Sequence, residues 1–445
     1  MRFVVRNKKR RRTISLVYIL MLAAIVLVSI SIILSLRLGT KDKRFHYEVL
    51  SEDTSEENLV RKFPCHYMHN RTNEFEIVPH FQRQDTNNNP DVTNEYHERY
   101  SISIATMISP SVALFKRLKD MAQRWPGPIS VSVFISDASY EDQVKLAIQQ
   151  LQYNNTRIFG SRISFHLVTD LKNERGLDKN LFPRNLLRNV AIQNADANYV
   201  LLLDADLTPS KYAYKKLKTH LRKLEKKKKG AKHVVVVPAF EKSNSTEFKK
   251  FPVATKKELL KIKKKQRESV LPFHFKSKLI AHKNTRSMKW YVTKRDYSVT
   301  YADDYEPYVV VRKDANLPPF WEHFVGFGRN KLQWIEELFV AGYKFTVVPD
   351  VFVLHKWHQS YGLRRVRPYI ADEYALRFQR YLKHYYGRSV RSDKSLDVYY
   401  ESALTKWNDA VASGNITTSV STSKWFSKLS NKREVEFEQC LYRLK

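Results

Sequence analysis

Tyr199-Val200-Leu201-Leu202-Leu203-Asp204-Ala205-Asp206-Leu207-Thr208-Pro209 decides the fold. Five apolar residues, too few for a helix, run into two carboxylates on alternate positions, and Thr-Pro then predicts the strand's end. The pattern is that of a buried strand of a mostly parallel sheet with a site at its carboxyl end. Extended geometry would put Asp204 and Asp206 on one face, where two carboxylates repel unless a cation lies between them. A hard divalent ion with oxygen ligands, Mn²⁺ or Mg²⁺, shared with substrate phosphates, answers that need. An arbitrary Asp-x-Asp more often caps a helix or fills a turn. The apolar run before this one and the turn after it favour metal.

The flanking sequence alternates strands and helices. Ser101–Thr106, Pro128–Ile135 and Ile163–Val168 have strand character; 111–125 and 140–153 are helical, as is the stretch opening shortly after Pro183. Such alternation predicts β-α-β units. Downstream, Val234–Glu241, Tyr305–Val311 and Tyr343–Leu354 are predicted as strands, the last running into His355-Lys356-Trp357-His358, a source of a further metal ligand. In Phe324-Val325-Gly326-Phe327-Gly328 two glycines allow close backbone approach to a ligand. Arg188 and Asn189, beside the apolar stripe Leu186, Leu187 and Val190, are candidates for hydrogen bonds to a nucleotide or diphosphate.

The ends of the chain define its setting. Residues 1–12 hold seven Arg/Lys and no acid, and residues 13–36 hold no charge at all. Such a run spans roughly 30 Å of hydrocarbon as a helix. It exceeds the apolar core of a cleaved signal, and the basic tail predicts a cytoplasmic N-terminus with everything after Arg37 luminal. The sequence is read as a tail (1–12), a signal-anchor helix (13–36), a stem (37–96), a catalytic domain (97–365) and a C-terminal helical extension (366–445). Four Asn-x-Ser/Thr acceptors, Asn70, Asn154, Asn244 and Asn415, follow the span.

Net charge is +33, or +26 without the seven tail charges. On the luminal side this excludes nucleic acid as the partner and leaves anionic glycans, anionic membrane surfaces or acidic proteins. Much of the excess falls in 211–232 and 256–267, where leucines at helical spacing predict amphipathic helices with solvated basic faces. The only cysteines, Cys65 and Cys440, exclude a disulfide-built scaffold and a Cys-rich zinc site. A pairing of the two is expected, with an intermolecular link or free thiols as the alternatives.

Taken in order, Ile104-Ala105-Thr106, 127–133, 165–168, Leu187-Arg188-Asn189-Val190-Ala191, Asp204-x-Asp206, 237–241, 305–310, 324–328 with Asn330-Lys331, and His355-x-x-His358 resemble glycosyltransferase family 49. Its members, a β-1,4-glucuronyltransferase among them, build the glycan on dystroglycan. The resemblance covers about residues 100–360. It implies a GT-A-type, Rossmann-like α/β fold, a UDP-sugar donor, Mn²⁺ (or Mg²⁺), a glycan or glycoprotein acceptor, inversion at the anomeric carbon and a single-pass type II protein of the Golgi membrane. Asp204 and Asp206 match the metal motif, completed by His355 or His358. Ala105, Thr106, Arg188, Asn189 and Lys331 are the expected donor contacts, Lys331 toward a glucuronate carboxylate. This chain has Trp321 where the family commonly has an acid; Glu322, one position later, is the first candidate for the general base, with Asp303 and Asp304 behind it. A membrane-anchored, inactive glycan-binding protein is the alternative, and a homo-oligomer is compatible with the sequence.

Overall fold

The structure is a computed structural model that describes residues 55–67, 71–81, 98–155, 159, 162–172, 182–227, 232–242, 255–265, 270–275, 280–326, 328–355 and 368–390. The tail, the apolar run 13–36, His358 and Cys440 lie outside the described residues, as do Asn70, Asn244 and Asn415; Asn154 is exposed at a helix end. Among the described residues no helix is long and apolar enough to cross a membrane.

The described residues contain thirteen strands: β1 (Phe75–Phe81), β2 (Ile102–Ile108), β3 (Ile129–Ile135), β4 (Ile163–Asp170), β5 (Tyr199–Leu202), β6 (Leu207–Pro209), β7 (His233–Val237), β8 (Ala239–Lys242), β9 (Val270–Pro272), β10 (Tyr297–Val299), β11 (Tyr308–Arg312), β12 (Lys344–Val347) and β13 (Val353–His355). Nine of them make one sheet in the order β1-β4-β3-β2-β5-β11-β7-β12-β10, and β6-β13-β8-β9 make a second. β3 and β4 are buried along their whole length, as strands covered on both faces must be.

The expectation of a mostly parallel sheet needs correction. β4, β3, β2 and β5 pair in parallel, as do β7 and β12. β11 is antiparallel to both β5 and β7, and the edge strands β1 and β10 are antiparallel to their neighbours. β11 enters the sheet from the end at which β5 leaves it, with Val310 opposite Leu201 and Arg312 opposite Tyr199. This direction sets Tyr308, the first residue of β11, beside the carboxyl end of β5.

Two predicted long strands are each broken by a proline. Pro238 separates β7 from β8, and Pro349 lies between β12 and β13. A residue without N–H interrupts the ladder. At both breaks the chain passes from the large sheet to the small one, so the parallel pair β7/β12 is continued by the parallel pair β8/β13.

The helix Arg184–Gln193 lies almost wholly buried against the large sheet. Strand serines secure it: Ser130 Oγ donates to Ala191 O (2.6 Å) and Ser132 Oγ to Leu187 O (2.7 Å). The basic runs form amphipathic helices as expected. Ala213–Lys227 buries Leu217 and Leu221, and Lys256–Lys265 buries Leu259. Lys256 departs from the solvated face: its ammonium donates to Thr293 O (2.9 Å) and Pro349 O (2.8 Å).

The C-terminal helix Pro368–Tyr386 packs where the N-terminal segment meets the helix Leu332–Val340. His66 Nε2 bonds both carboxylate oxygens of the buried Glu337 (2.9 Å each), and Tyr386 OH donates to the same carboxylate (3.1 Å). Trp321 fills this junction against Phe378 and Tyr381, and its Nε1 donates to Cys65 O. Cys65 itself is disulfide-bonded, and the chain has one other cysteine, Cys440.

On the helix Ala213–Lys227, His220 is clamped between two carboxylates, Nδ1 on Asp296 (3.0 Å) and Nε2 on Asp350 (2.8 Å), with Lys216 Nζ 3.5 Å from Asp350. Burial alone would lower the His220 pKa, but the two aspartates outweigh it and raise the value to about 9. A raised folded-state pKa stabilises the fold fully below the ordinary value of 6.5, and that contribution is lost as pH rises through about 9. With Asp350 partly in solvent, His220→Asn is expected to cost about 2 kcal/mol at pH 6. In urea unfolding of the two proteins that gap should close by about pH 10; a gap of equal size at both pH values would contradict the assignment.

Candidate active site

The site begins where β5 stops. β5 ends at Leu202, so Asp204 and Asp206 sit in the turn to β6 and not on a strand face as expected; Leu207 N closes the turn on Asp204 O (3.1 Å). Nor does Thr208-Pro209 end the strand, since both residues belong to β6. β6 then pairs antiparallel with β13, with His355 opposite Leu207. That register brings His355 Nε2 to 3.3 Å from Asp206 Oδ2 across the 149 positions that separate them in sequence. The Asp206 side chain is 25% exposed and that of His355 14%.

Asp204 is bound on three sides. Tyr308 OH donates to Oδ2 (2.7 Å), Lys331 Nζ lies 3.5 Å from the same oxygen, and Arg188 Nη2 stands 3.9 Å from Oδ1. Burial pushes the Asp204 carboxyl upward, but Lys331 and then Arg188 more than reverse this and hold its pKa below the usual range. Burial, and next the charge on Asp204, drive the Tyr308 phenol well above its ordinary value, so it remains a donor. Lys331 is also 3.4 Å from Glu306 Oε1 and sits over the Tyr308 ring, 4.1 Å from its centroid.

The glycine turn orients Arg188. Gly326 and Gly328 have φ of +68° and +111°, where a side chain would be strained. Gly326 N donates to Phe182 O (2.8 Å) and Gly326 O accepts from Asn330 Nδ2 (2.8 Å). Asn330 Oδ1 then accepts from Arg188 Nη1 (2.8 Å), which also donates to Asn185 Oδ1 (2.9 Å). One turn earlier, desolvation and the neighbouring Arg188 push the Arg184 pKa down to about 10.

Two expected site residues have other duties. Asn189 uses both amide donors on Phe320 O (2.9 Å) and Glu322 Oε1 (3.0 Å), and its oxygen accepts from Phe320 N (2.7 Å). With its donors spent, it clamps the 320–322 segment and has none left for a nucleotide. Glu322 is fully buried: its carboxylate takes Asn189 and faces Arg71 Nη1 at 3.5 Å, and its N–H donates to His66 O (2.8 Å). A base closed in this way has no path to an acceptor hydroxyl. Asp303 is exposed and Asp304 half-buried with a left-handed φ of 60°, both in the turn before β11. Ala105 is core, while the buried Thr106 Oγ1 near the carboxyl end of β2 has no hydrogen-bond partner among the described residues.

Tyr308 and Glu306 were missed in the sequence. Their signal was position, immediately before the apolar run of β11. Among the described residues no group of three or more His, Cys, Asp or Glu is arranged to hold a metal ion.

The profile of the family described as "Glycosyl-transferase for dystroglycan" matches residues 102–180 and 171–387. The match spans well over half of the chain, which belongs to glycosyltransferase family 49. The xylosyl- and glucuronyltransferase LARGE2s of Gallus gallus is 31% identical over 258 residues, 58% of this chain and 32% of that protein. LARGE2s of Danio rerio is 30% identical over 267 residues, 60% of this chain and 33% of that protein. The matched stretch thus spans about a third of these relatives' length. Among solved structures, GalNAc-T7 with UDP, GalNAc and Mn²⁺ is similar at 12% identity and a TM-score of 0.39, over 68% of this chain and 54% of that one; a likeness at that score carries no argument about the site.

The Asn189 clamp makes a direct prediction. Asn189→Ala orphans buried groups of Phe320 and Glu322 and should cost about 2–3 kcal/mol in urea unfolding. A cost under about 0.5 kcal/mol would mean that the 320–322 segment is held by other contacts.

Proposed function

We propose that this chain is a metal-dependent, inverting glycosyltransferase of GT-A type that moves a sugar from a UDP donor to a glycan on a glycoprotein. Glucuronic acid is the leading donor sugar, through the family and the relatives named above. The apolar run 13–36 behind seven basic residues supports a single-pass type II anchor with the catalytic domain in the Golgi lumen, after a stem over 37–96.

The observation that carries the reading is the approach of His355 Nε2 to Asp206 Oδ2 at 3.3 Å, at the end of an Asp-x-Asp turn. The residues suit a divalent ion in kind: two carboxylates and an imidazole are a donor set for Mn²⁺. Asp206 and His355 would hold the ion and Asp204 would join them on giving up Lys331, since among the described residues the three are not yet grouped as a metal site; the ion would neutralise charge on the departing diphosphate. Arg188, pinned by Asn185 and Asn330, presents a guanidinium of fixed orientation to the phosphate oxygens. Tyr308 keeps the Asp204 carboxylate in place by its hydrogen bond. Inversion requires a carboxylate to take the acceptor proton from the opposite face. With Glu322 enclosed, Asp303 and Glu306 are the better candidates, the first exposed and the second half-buried beside Lys331.

Full-length protein in detergent should release UDP from one member of a panel of UDP-sugars with Mn²⁺ and lose that activity on chelation. Asp206→Asn keeps size and removes charge, so turnover should fall by about 100-fold or more at unchanged melting temperature. Wild-type turnover by the variant in metal-restored samples, lost again on chelation, would remove Asp206 from the site.

A further inference from the structure

Lys331 stands between two carboxylates, with Nζ 3.5 Å from Asp204 Oδ2 and 3.4 Å from Glu306 Oε1. Its side chain is 5% exposed, so its charge acts on both with little screening by solvent. Arg188 is the other cation beside Asp204 but is tethered by two asparagine oxygens, whereas an ammonium on a flexible stem has no fixed direction. Among the described residues the cluster sets three carboxylates, Asp204, Asp206 and Glu306, against three cations, Arg184, Arg188 and Lys331. A divalent cation alone would upset that balance, and so would a diphosphate alone. Together they nearly cancel.

We infer that Lys331 is an exchangeable counter-ion of Asp204, which makes divalent-ion binding and diphosphate binding depend on each other. This rests on the metal-site reading proposed above. Asp204 carries one negative charge already neutralised by Lys331, so an incoming ion competes with the ammonium for the same oxygen. Glu306 supplies the second position: Lys331 can leave Asp204 and remain paired. From there its ammonium faces the diphosphate that arrives with the ion. Tyr308 stays on Asp204 throughout, so the carboxylate changes its cation without turning. The expected consequence runs against the usual effect of deleting a site residue, because removing Lys331 should strengthen metal binding when no nucleotide is present.

The test measures Mn²⁺ bound to the full-length protein in detergent, from loss of the free Mn²⁺ electron paramagnetic resonance signal, with and without UDP. In the wild type UDP should tighten Mn²⁺ binding by about tenfold or more. Lys331→Met should bind Mn²⁺ alone about fivefold tighter than wild type, with UDP then adding less than about threefold; Lys331→Arg should keep most of the coupling. Glu306→Gln, which removes the second position and leaves Lys331 on Asp204, should weaken Mn²⁺ binding alone by about threefold, and it keeps the test decisive if Lys331→Met does not fold. Lys331→Met binding Mn²⁺ alone no tighter than wild type at unchanged melting temperature overturns the inference. So does wild-type Mn²⁺ binding that is indifferent to UDP, and in that case the metal site itself stands. Wild-type protein that binds no Mn²⁺ under either condition overturns both the metal site and the exchange.

Discussion

Backbone hydrogen bonds between β6 and β13 set His355 opposite Leu207, and the candidate site depends on that register. A slip of one residue would turn His355 to the other face and away from Asp206. The register is fixed from both sides. β13 also pairs in parallel with β8, and Ser210 N bonds Phe352 O just beyond the β6 end. The prolines that broke the two long predicted strands are therefore part of the construction. They allow β7 and β12 to hand over to β8 and β13 together, which carries residue 355 across to the turn after β5.

A second constraint is charge. Arg188 and Lys331 are both 5% exposed, and such cations are tolerated inside a protein only with partners. Asp204 is one partner they share, at 37% exposure the part of the group most open to solvent. Neutral donors and acceptors from Asn185, Asn330 and Tyr308 hold the ions in place. Gly326 matters here through Asn330, since Gly326 O anchors the amide that aims Arg188.

Elements with a single dominant signal were legible in the sequence. β2, β3 and β4 and the helices between them followed from apolar periodicity, and the basic runs formed helices whose leucines face inward. Asp206 and His355, which the family resemblance led one to expect near each other, do lie side by side. Direction within the sheet was not legible: nothing in Tyr308–Arg312 states that β11 runs against β5, as this follows from where the preceding segment lies. The division of labour between neighbouring polar helix residues was not legible for a similar reason. Arg188 and Asn189 are adjacent and equally polar, yet one turns to Asp204 and the other to the 320–322 backbone. The enclosure of Glu322 was not legible because Arg71, which faces it, comes from a segment read as a stem. Trp321 is explained by packing under the C-terminal helix, a contact that no local pattern reveals.

The account stands on one ion shared by Asp206 and His355. A crystal of the full-length protein grown with Mn²⁺ and UDP, measured at the manganese absorption edge, tests it most directly. The account predicts one anomalous peak within about 2.0–2.3 Å of an Asp206 carboxylate oxygen and of His355 Nε2. A bound UDP whose manganese peak lies away from both residues would contradict it.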